Sequence, residues 1–261
     1  MDDVYPENWY IQFSIHYIYV LGGKCKKKTR VTDRHLIRLI KRLNSSNSNE
    51  LIHLRPLSRH VDFAKVWTEK PKTTDNISYP DCAYNFYFIK NDEGLYVATV
   101  LDMNHDLHWL VLKEHRGNGH LTNALRETIL PHLFQDRDEQ RVTINEYHTG
   151  SSNYISSEKV AIKLGFVKTE DKETKNEYLL SNENYKSIPY NDGVNTEITE
   201  DRLNLLKKQI NYLSRSLWVI QTEVEMKLGD NDYSEELLEL VKEIRKHTYK
   251  LEDAWWENKK Q

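Results

Sequence analysis

Arg116-Gly117-Asn118-Gly119-His120-Leu121 is the segment whose residue types and spacing point most directly to chemistry. It follows an apolar run, Leu107 to Lys113, and leads into a predicted helix that reaches about Phe134. Two glycines one residue apart let the backbone take positive φ and come close to a ligand. Several N–H groups can then aim at one point, and a helix start adds partial positive charge. That combination suits a diphosphate. The segment lacks the Gly-Lys-Ser/Thr ending of a Walker loop. It also does not complete a dinucleotide-binding fingerprint.

Three regions must position this loop. In residues 1–48, Trp9 to Val20 is rich in β-branched and aromatic residues and predicts a strand that Gly22-Gly23 ends. Asp33 is expected to cap a helix whose apolar residues Leu36, Ile37, Leu39, Ile40 and Leu43 recur at helical spacing. The polar tract 44–49 reads as a linker. Residues 49–189 alternate strands and helices. A short strand at Leu51–Arg55 is followed by an expected helix at about 59–69. Tyr84–Lys90 and Leu95–Leu101 form strands joined by the turn Asn91-Asp92-Glu93-Gly94. Further strands are expected at Leu107–Lys113, at Arg141–Tyr147 and on either side of Lys172–Lys175, with a helix at about 153–164 that stops at Gly165. The pattern predicts an α/β fold of α+β type, a mixed sheet with helices on both faces.

Residues 190–261 carry a different period. Leu203, Leu206, Ile210, Leu213, Leu217, Ile220 and Val224 are spaced alternately three and four apart, a heptad seam. Gly229-Asp230-Asn231 breaks it, and Asp232 with Glu235 resembles a capping box. Leu237, Val241, Ile244, Thr248, Leu251 and Trp255 make a second seam, so the two helices are expected to fold back as a coiled-coil-like hairpin. Of the adjacent Trp255 and Trp256, one should be a contact residue.

Composition narrows the function classes. Hydrophobic residues make up 38% and charged residues 30%, which marks a globular chain. No apolar run approaches the ~20 residues of a membrane span, and Met1-Asp2-Asp3 does not resemble a signal peptide. Two cysteines, Cys25 and Cys82, suit a reducing, cytoplasmic compartment. Net charge is −3, without the strong positive balance of a nucleic-acid binder. Residues 1–48 hold nine Lys/Arg against four Asp/Glu, whereas residues 197–261 hold eleven against fourteen. The eleven histidines show no metal-ligand spacing, so no metal is expected.

The glycine loop is similar to the pyrophosphate motif of the GNAT family of N-acetyltransferases, Arg/Gln-x-x-Gly-x-Gly/Ala. About forty residues on, Ser157-Glu158-Lys159-Val160-Ala161-Ile162-Lys163-Leu164-Gly165-Phe166 resembles the second coenzyme A motif of that family. The Ser-x-Lys-Val-Ala-x-Lys form is closest to the RimJ/RimL branch, and Ile52-His53-Leu54-Arg55-Pro56-Leu57 resembles that branch's first strand. The resemblance covers about residues 50–181. Three departures stand out: Leu121 where the family has a small residue, Ala161 where many relatives carry a tyrosine acid, and Tyr154 where an Asn often precedes the Ser by three, with Asn153 one place off.

The resemblance implies a GNAT acyltransferase fold at 49–189, between an N-terminal strand–helix extension (1–48) and a C-terminal helical hairpin (190–261). It implies direct, acetyl-CoA-dependent transfer of an acetyl group to a primary amine. Leu110, Val111 and Leu112 would pair with the pantetheine arm, the Leu112 N–H polarising the thioester carbonyl. Arg116, Gly117, Asn118, Gly119, His120, Leu121 and Thr122 would hold the diphosphate, with Asn153, Ser157 and Lys159 from the second motif. His105, Asp106, His108 and Glu146 are the base candidates; Tyr147 and Ser152 are candidates for the acid. The alternative is a catalytically weak or inactive GNAT-like scaffold that binds coenzyme A and acts through protein interactions. Implied partners are an amine-bearing acceptor and, through the C-terminal helices, a second copy of the chain.

Overall fold

The computed structural model describes residues 31–45, 51–67, 69–75, 83–145, 151–169, 176–185, 193 and 197–259. The expected strand at 9–20, both cysteines, Glu146 and Tyr147 lie outside the described residues. The chain divides into two compact units after Asn195.

The first unit is a mixed α/β body. Strands β1 (Ile52–Pro56), β2 (Val61–Val66), β3 (Tyr84–Lys90), β4 (Tyr96–Asp102) and β5 (Leu107–Val111) form a five-stranded sheet in sequence order, each neighbour antiparallel. Strands β6 (Glu139–Thr143), β7 (Val167–Lys168) and β8 (Glu177–Ser181) form a second antiparallel sheet in the order β6-β8-β7. Among the described residues one parallel bridge, Asp106 to Arg141, joins the two. In place of the expected single mixed sheet, the described residues form two antiparallel sheets that share one hydrophobic cluster.

β3 and β4 are buried on both faces, which is why they read as continuous apolar runs rather than alternating ones. Tyr87, Ile89 and Val100 point to one face and pack with Leu125 and Ile129 of a helix. Phe86, Phe88 and Leu101 point to the other and pack with Leu36 and Ile40 of helix α1 (Asp33–Leu43). Thr32, not Asp33, is the N-cap of α1. Asn44, expected in the linker, instead pairs with β4: its Nδ2 donates to the Tyr96 carbonyl and its Oδ1 accepts the Tyr96 N–H, both at 2.8 Å.

The helix expected at about 59–69 is strand β2. Leu57 and Ser58 donate their N–H groups to the Val61 carbonyl and close a tight turn after β1. β2 is then paired along its length by β1 on one side and β3 on the other. Pairing on both edges overrides the weak helical pattern of Val61-Asp62-Phe63-Ala64-Lys65-Val66. The buried Asp62 is held there by Lys90 Nζ at 2.9 Å and the Tyr96 hydroxyl at 2.5 Å.

Helix α2 runs on from the glycine loop in three parts: His120–Ala124, a π-helical turn at Leu125–Ile129, and Leu130–Leu133. Pro131 has no N–H to give, and the wide turn lies directly before it. Helix α3 (Ser151–Lys163) turns its buried Ala161 to the core.

The second unit is a hairpin of α4 (Glu200–Leu228) and α5 (Asp232–Asn258). Trp255 Nε1 donates to the Ile198 carbonyl at 2.6 Å, Lys207 Nζ to Glu252 at 2.5 Å, and the Ser214 hydroxyl to the Val241 carbonyl at 2.9 Å. Rising positions on α4 meet falling positions on α5, so the helices are antiparallel. Asn231 and Ser234 form the capping box of α5, one residue earlier than expected. Trp255 is buried and Trp256 exposed, as two adjacent helical residues require. The seam on α4 keeps Leu203 buried and Leu206, Ile210, Leu217 and Val224 half-buried, and differs from the expected one at two positions. Leu203, Ser214 and Gln221 are buried against α5, whereas Leu213 and Ile220 point outward. Ser214 takes the place of a leucine because its small side chain bonds the α5 backbone at close approach. Among the described residues no helix is long and apolar enough to cross a membrane.

Candidate functional site

β5 ends at Val111, a 3-10 turn covers Lys113–His115, and Arg116–Gly119 lead into α2. Gly117 and Gly119 both have φ of +81°. A Cβ would meet nothing within 4 Å at Gly117 and only Asn123 Nδ2, at 3.6 Å, at Gly119. Packing does not demand glycine at either position; the backbone conformation does. The first helical bond is Asn123 N–H to the Gly119 carbonyl, 2.9 Å. The N–H groups of Gly119, His120, Leu121 and Thr122 therefore have no acceptor inside the helix, and they sit at its positive end.

These residues line a cleft of about 460 Å³, a volume in the range of small-molecule sites. β5 contributes His108 to Val111, and the loop contributes Arg116, Gly117 and Gly119 to Thr122. The opposite wall is the face of α3 that carries Ser152, Asn153, Ser156, Ser157, Lys159, Val160 and Lys163. Two bonds tie the walls together: Arg116 Nη1 to Asn153 Oδ1 at 2.9 Å, and Trp109 Nε1 to Ser157 Oγ at 3.3 Å. Arg116 Nε also donates to the Val111 carbonyl at 3.2 Å. The lining is cationic, with Arg116, Lys159 and Lys163 against the single carboxylate of Asp33. The rings of His115 and His120 lie 6.4 Å apart beside the loop. Leu121 is buried in the core and also lines the cleft.

The edge of β5 supplies a second set of polar groups. The Leu112 N–H donates to Val97 of β4 at 2.9 Å, and Met103 N–H to the Asp106 carbonyl at 2.9 Å. In an antiparallel ladder, Leu110 and His108 then also turn their peptide groups to β4, while those of Trp109 and Val111 turn away from it. Of the three residues expected to meet a pantetheine arm, Val111 has this orientation. Leu110 and Leu112 do not, and the Leu112 N–H expected to polarise a carbonyl is occupied by Val97. Beyond the bridge at Asp106 and Arg141, β5 and β6 part; Asp106 closes the fork by accepting the Thr143 N–H at 2.8 Å.

His108 lies in the cleft with Nε2 3.2 Å from Asp33 Oδ1, a pairing across 75 residues that no sequence spacing announces. His105 is not in the cleft. It is exposed in the β4–β5 turn, about 20 Å along the strand from Val111 at ~3.3 Å per residue. Asp106 serves the fork rather than the cleft. Asn118 belongs to the loop but does not line the cavity, whereas Ser156, Val160 and Lys163 do. Lys163 was within reach of sequence reasoning, being four residues from Lys159 on one helix face.

Ala161 faces the core, so a tyrosine at that helix position would not reach the cleft. The phenol on α3 is Tyr154, bonded to Glu158 at 3.2 Å and to the Tyr178 hydroxyl at 3.3 Å. Tyr178 also bonds Glu158. Burial, and then the bond to Glu158, pushes the Tyr178 phenol well above its ordinary value; the hydrogen bond from Tyr178 holds the Glu158 carboxyl below its own. Among the described residues no three of His, Cys, Asp and Glu gather as metal ligands. No family model matches this chain, and it matches neither a curated protein nor a solved structure.

Proposed function

We propose that the first unit is an acetyl-CoA-dependent N-acetyltransferase acting on a primary amine. The observation that carries this reading is one cleft holding a positive-φ glycine loop at a helix start, a strand edge that is unpaired among the described residues, and a cationic α3 face. The residues present fit coenzyme A. The N–H groups from Gly119 to Thr122 would hold the diphosphate. Arg116, Lys159 and Lys163 would offset its charge, and the Trp109 peptide groups with the Val111 N–H would pair with the pantetheine amides, the Val111 carbonyl being taken by Arg116. Acetyl-CoA supplies the acetyl group as a thioester. A protonated amine, pKa ~10 in water, must lose a proton before it attacks. His108, positioned by Asp33, is the base assigned here.

The second reading is a coenzyme A-binding scaffold of little or no activity. It is favoured by the α3 face, where serines, Asn153 and Val160 line the cleft and the tyrosine position of the family is the buried Ala161.

Calorimetry with acetyl-CoA tests the common element of both. The wild type is expected to bind, and Gly119→Trp to weaken binding at least about tenfold, or ~1.4 kcal/mol. Equal affinity in the two proteins, or no binding by the wild type, overturns the reading. A thiol-release screen over peptide, polyamine and aminoglycoside amines separates the two: binding without release of coenzyme A favours the scaffold.

A further inference from the structure

We propose that the outer face of α4 is a self-association surface, on which a second copy of this chain packs its own α4 in antiparallel orientation. The proposal is independent of the acetyltransferase reading. Helix α4 is apolar on two opposite sides. One side, through Leu203, Ser214 and Gln221, is covered by α5. On the other, Leu205, Tyr212, Val219 and Met226 recur every seven residues and are 41%, 70%, 68% and 77% exposed. Leu213 and Ile220, also exposed, widen this stripe. One apolar residue in every seven is half of a two-helix seam, and Gln209, Ser216 and Glu223 occupy the alternate positions between them. An isolated apolar side chain in water is ordinary, but six exposed on one side of a helix are not.

Size and charge select the occupant. The six side chains expose on the order of 700 Å², close to the ~800 Å² that each partner contributes to a standard interface. Two-fold pairing of identical helices makes the patch its own complement. Ser216, half-buried at the middle of the stripe, is small enough for a close crossing there. An antiparallel two-fold at Ser216 sets Gln209 of one copy opposite Glu223 of the other and brings Lys208 toward the same carboxylate. A parallel pairing would instead set Glu223 against Glu223. A lipid surface is the poorer match. The stripe itself contains Glu223, and α4 holds five Lys/Arg against four Asp/Glu, short of the strongly basic polar face that interfacial helices carry.

Sedimentation equilibrium of the full chain is expected to give twice the chain mass at micromolar concentration. Tyr212→Lys with Val219→Lys should raise the dimer dissociation constant at least tenfold with helical circular dichroism unchanged, because neither side chain is buried in the hairpin. Lys208→Glu, a surface change that leaves the stripe intact, should weaken the dimer several-fold, and adding Glu223→Lys should restore it. A monomeric wild type overturns the proposal, as does a dimer that survives Tyr212→Lys/Val219→Lys. A charge swap that stays dissociated overturns the antiparallel pairing. Binding of the monomer to vesicles of phosphatidylcholine and phosphatidylglycerol would assign the stripe to lipid and also overturns it.

Discussion

Replacing Gly119 by alanine separates backbone strain from steric exclusion in the glycine loop. At φ of +81° an L-residue is about 1–2 kcal/mol less stable than glycine. The added Cβ would meet only Asn123 Nδ2 at 3.6 Å, an ordinary contact, so sterics inside the protein add nothing. Alanine also reduces the freedom of the unfolded chain, which returns ~0.4–1 kcal/mol. Strain wins by a small margin, and the net loss is about 1 kcal/mol. For a unit of this size that lowers the melting temperature by about 2–4 °C. Gly193→Ala is the contrast. Its Cβ would lie 2.2 Å from the Pro56 carbonyl oxygen and 3.2 Å from Leu57 Cδ2, and a backbone atom cannot swing aside. Overpacking there adds to the strain, for a loss of about 3 kcal/mol or more. Scanning calorimetry of the full chain gives both values from the transition of the first unit. A neutral or stabilising Gly119→Ala, or one as costly as Gly193→Ala, would refute the argument. Repeating the scan with acetyl-CoA at a hundredfold its dissociation constant should add ~2.7 kcal/mol to the wild type.

Two further outcomes follow from buried polar groups. His132 accepts or donates a 2.7 Å bond with the Tyr87 hydroxyl, and burial holds its imidazole below the ordinary value. The unfolded chain therefore takes the proton first, and stability is lost as pH falls below about 6.5 toward the depressed folded value; urea midpoints should show this slope in the wild type and lose it in His132→Gln. Asp62→Ala strands the Lys90 ammonium and the Tyr96 hydroxyl between β2, β3 and β4, and should cost ~3–5 kcal/mol in the same urea titration. A loss under 1 kcal/mol would mean that water replaces the carboxylate there.

Much of this architecture was legible because it rests on local pattern. The β3–β4 hairpin follows from Asn91-Asp92-Glu93-Gly94 between two apolar runs, and the loop before α2 from its two glycines. The hairpin of α4 and α5 follows from its period and the break at Gly229. The remainder depends on pairing at long range. β2 is a strand because β1 and β3 flank it; Val61, Phe63 and Val66 favour a strand, but six residues without sustained alternation do not decide it. The seam on α4 differs at Leu213 because Ser214 finds a backbone acceptor on α5, a term that counting leucines cannot register. In the cleft, the loop and the α3 motif announced themselves by residue type. Asp33 did not, because its partner His108 is 75 residues away.

The cleft and the fork between the sheets have one structural origin. Neighbouring parallel strands ordinarily spend every edge peptide group on each other. Here the Asp106 carboxylate takes the Thr143 N–H in place of a strand carbonyl, next to the bridge with Arg141. Side-chain closure ends the ladder at that point, so β6 need not follow β5 any further. Among the described residues the Trp109 peptide groups and the Val111 N–H are left facing the cleft, and the Trp109 ring reaches α3. Arg116 then crosses from the Val111 carbonyl to Asn153 and spans the opening. An extended, amide-bearing ligand arm is what such an edge can accept, and a helix start immediately beyond it can accept the anionic end. The same local choice, one carboxylate substituting for one carbonyl, thus both terminates the sheet and creates the polar edge on which the proposed cofactor would lie.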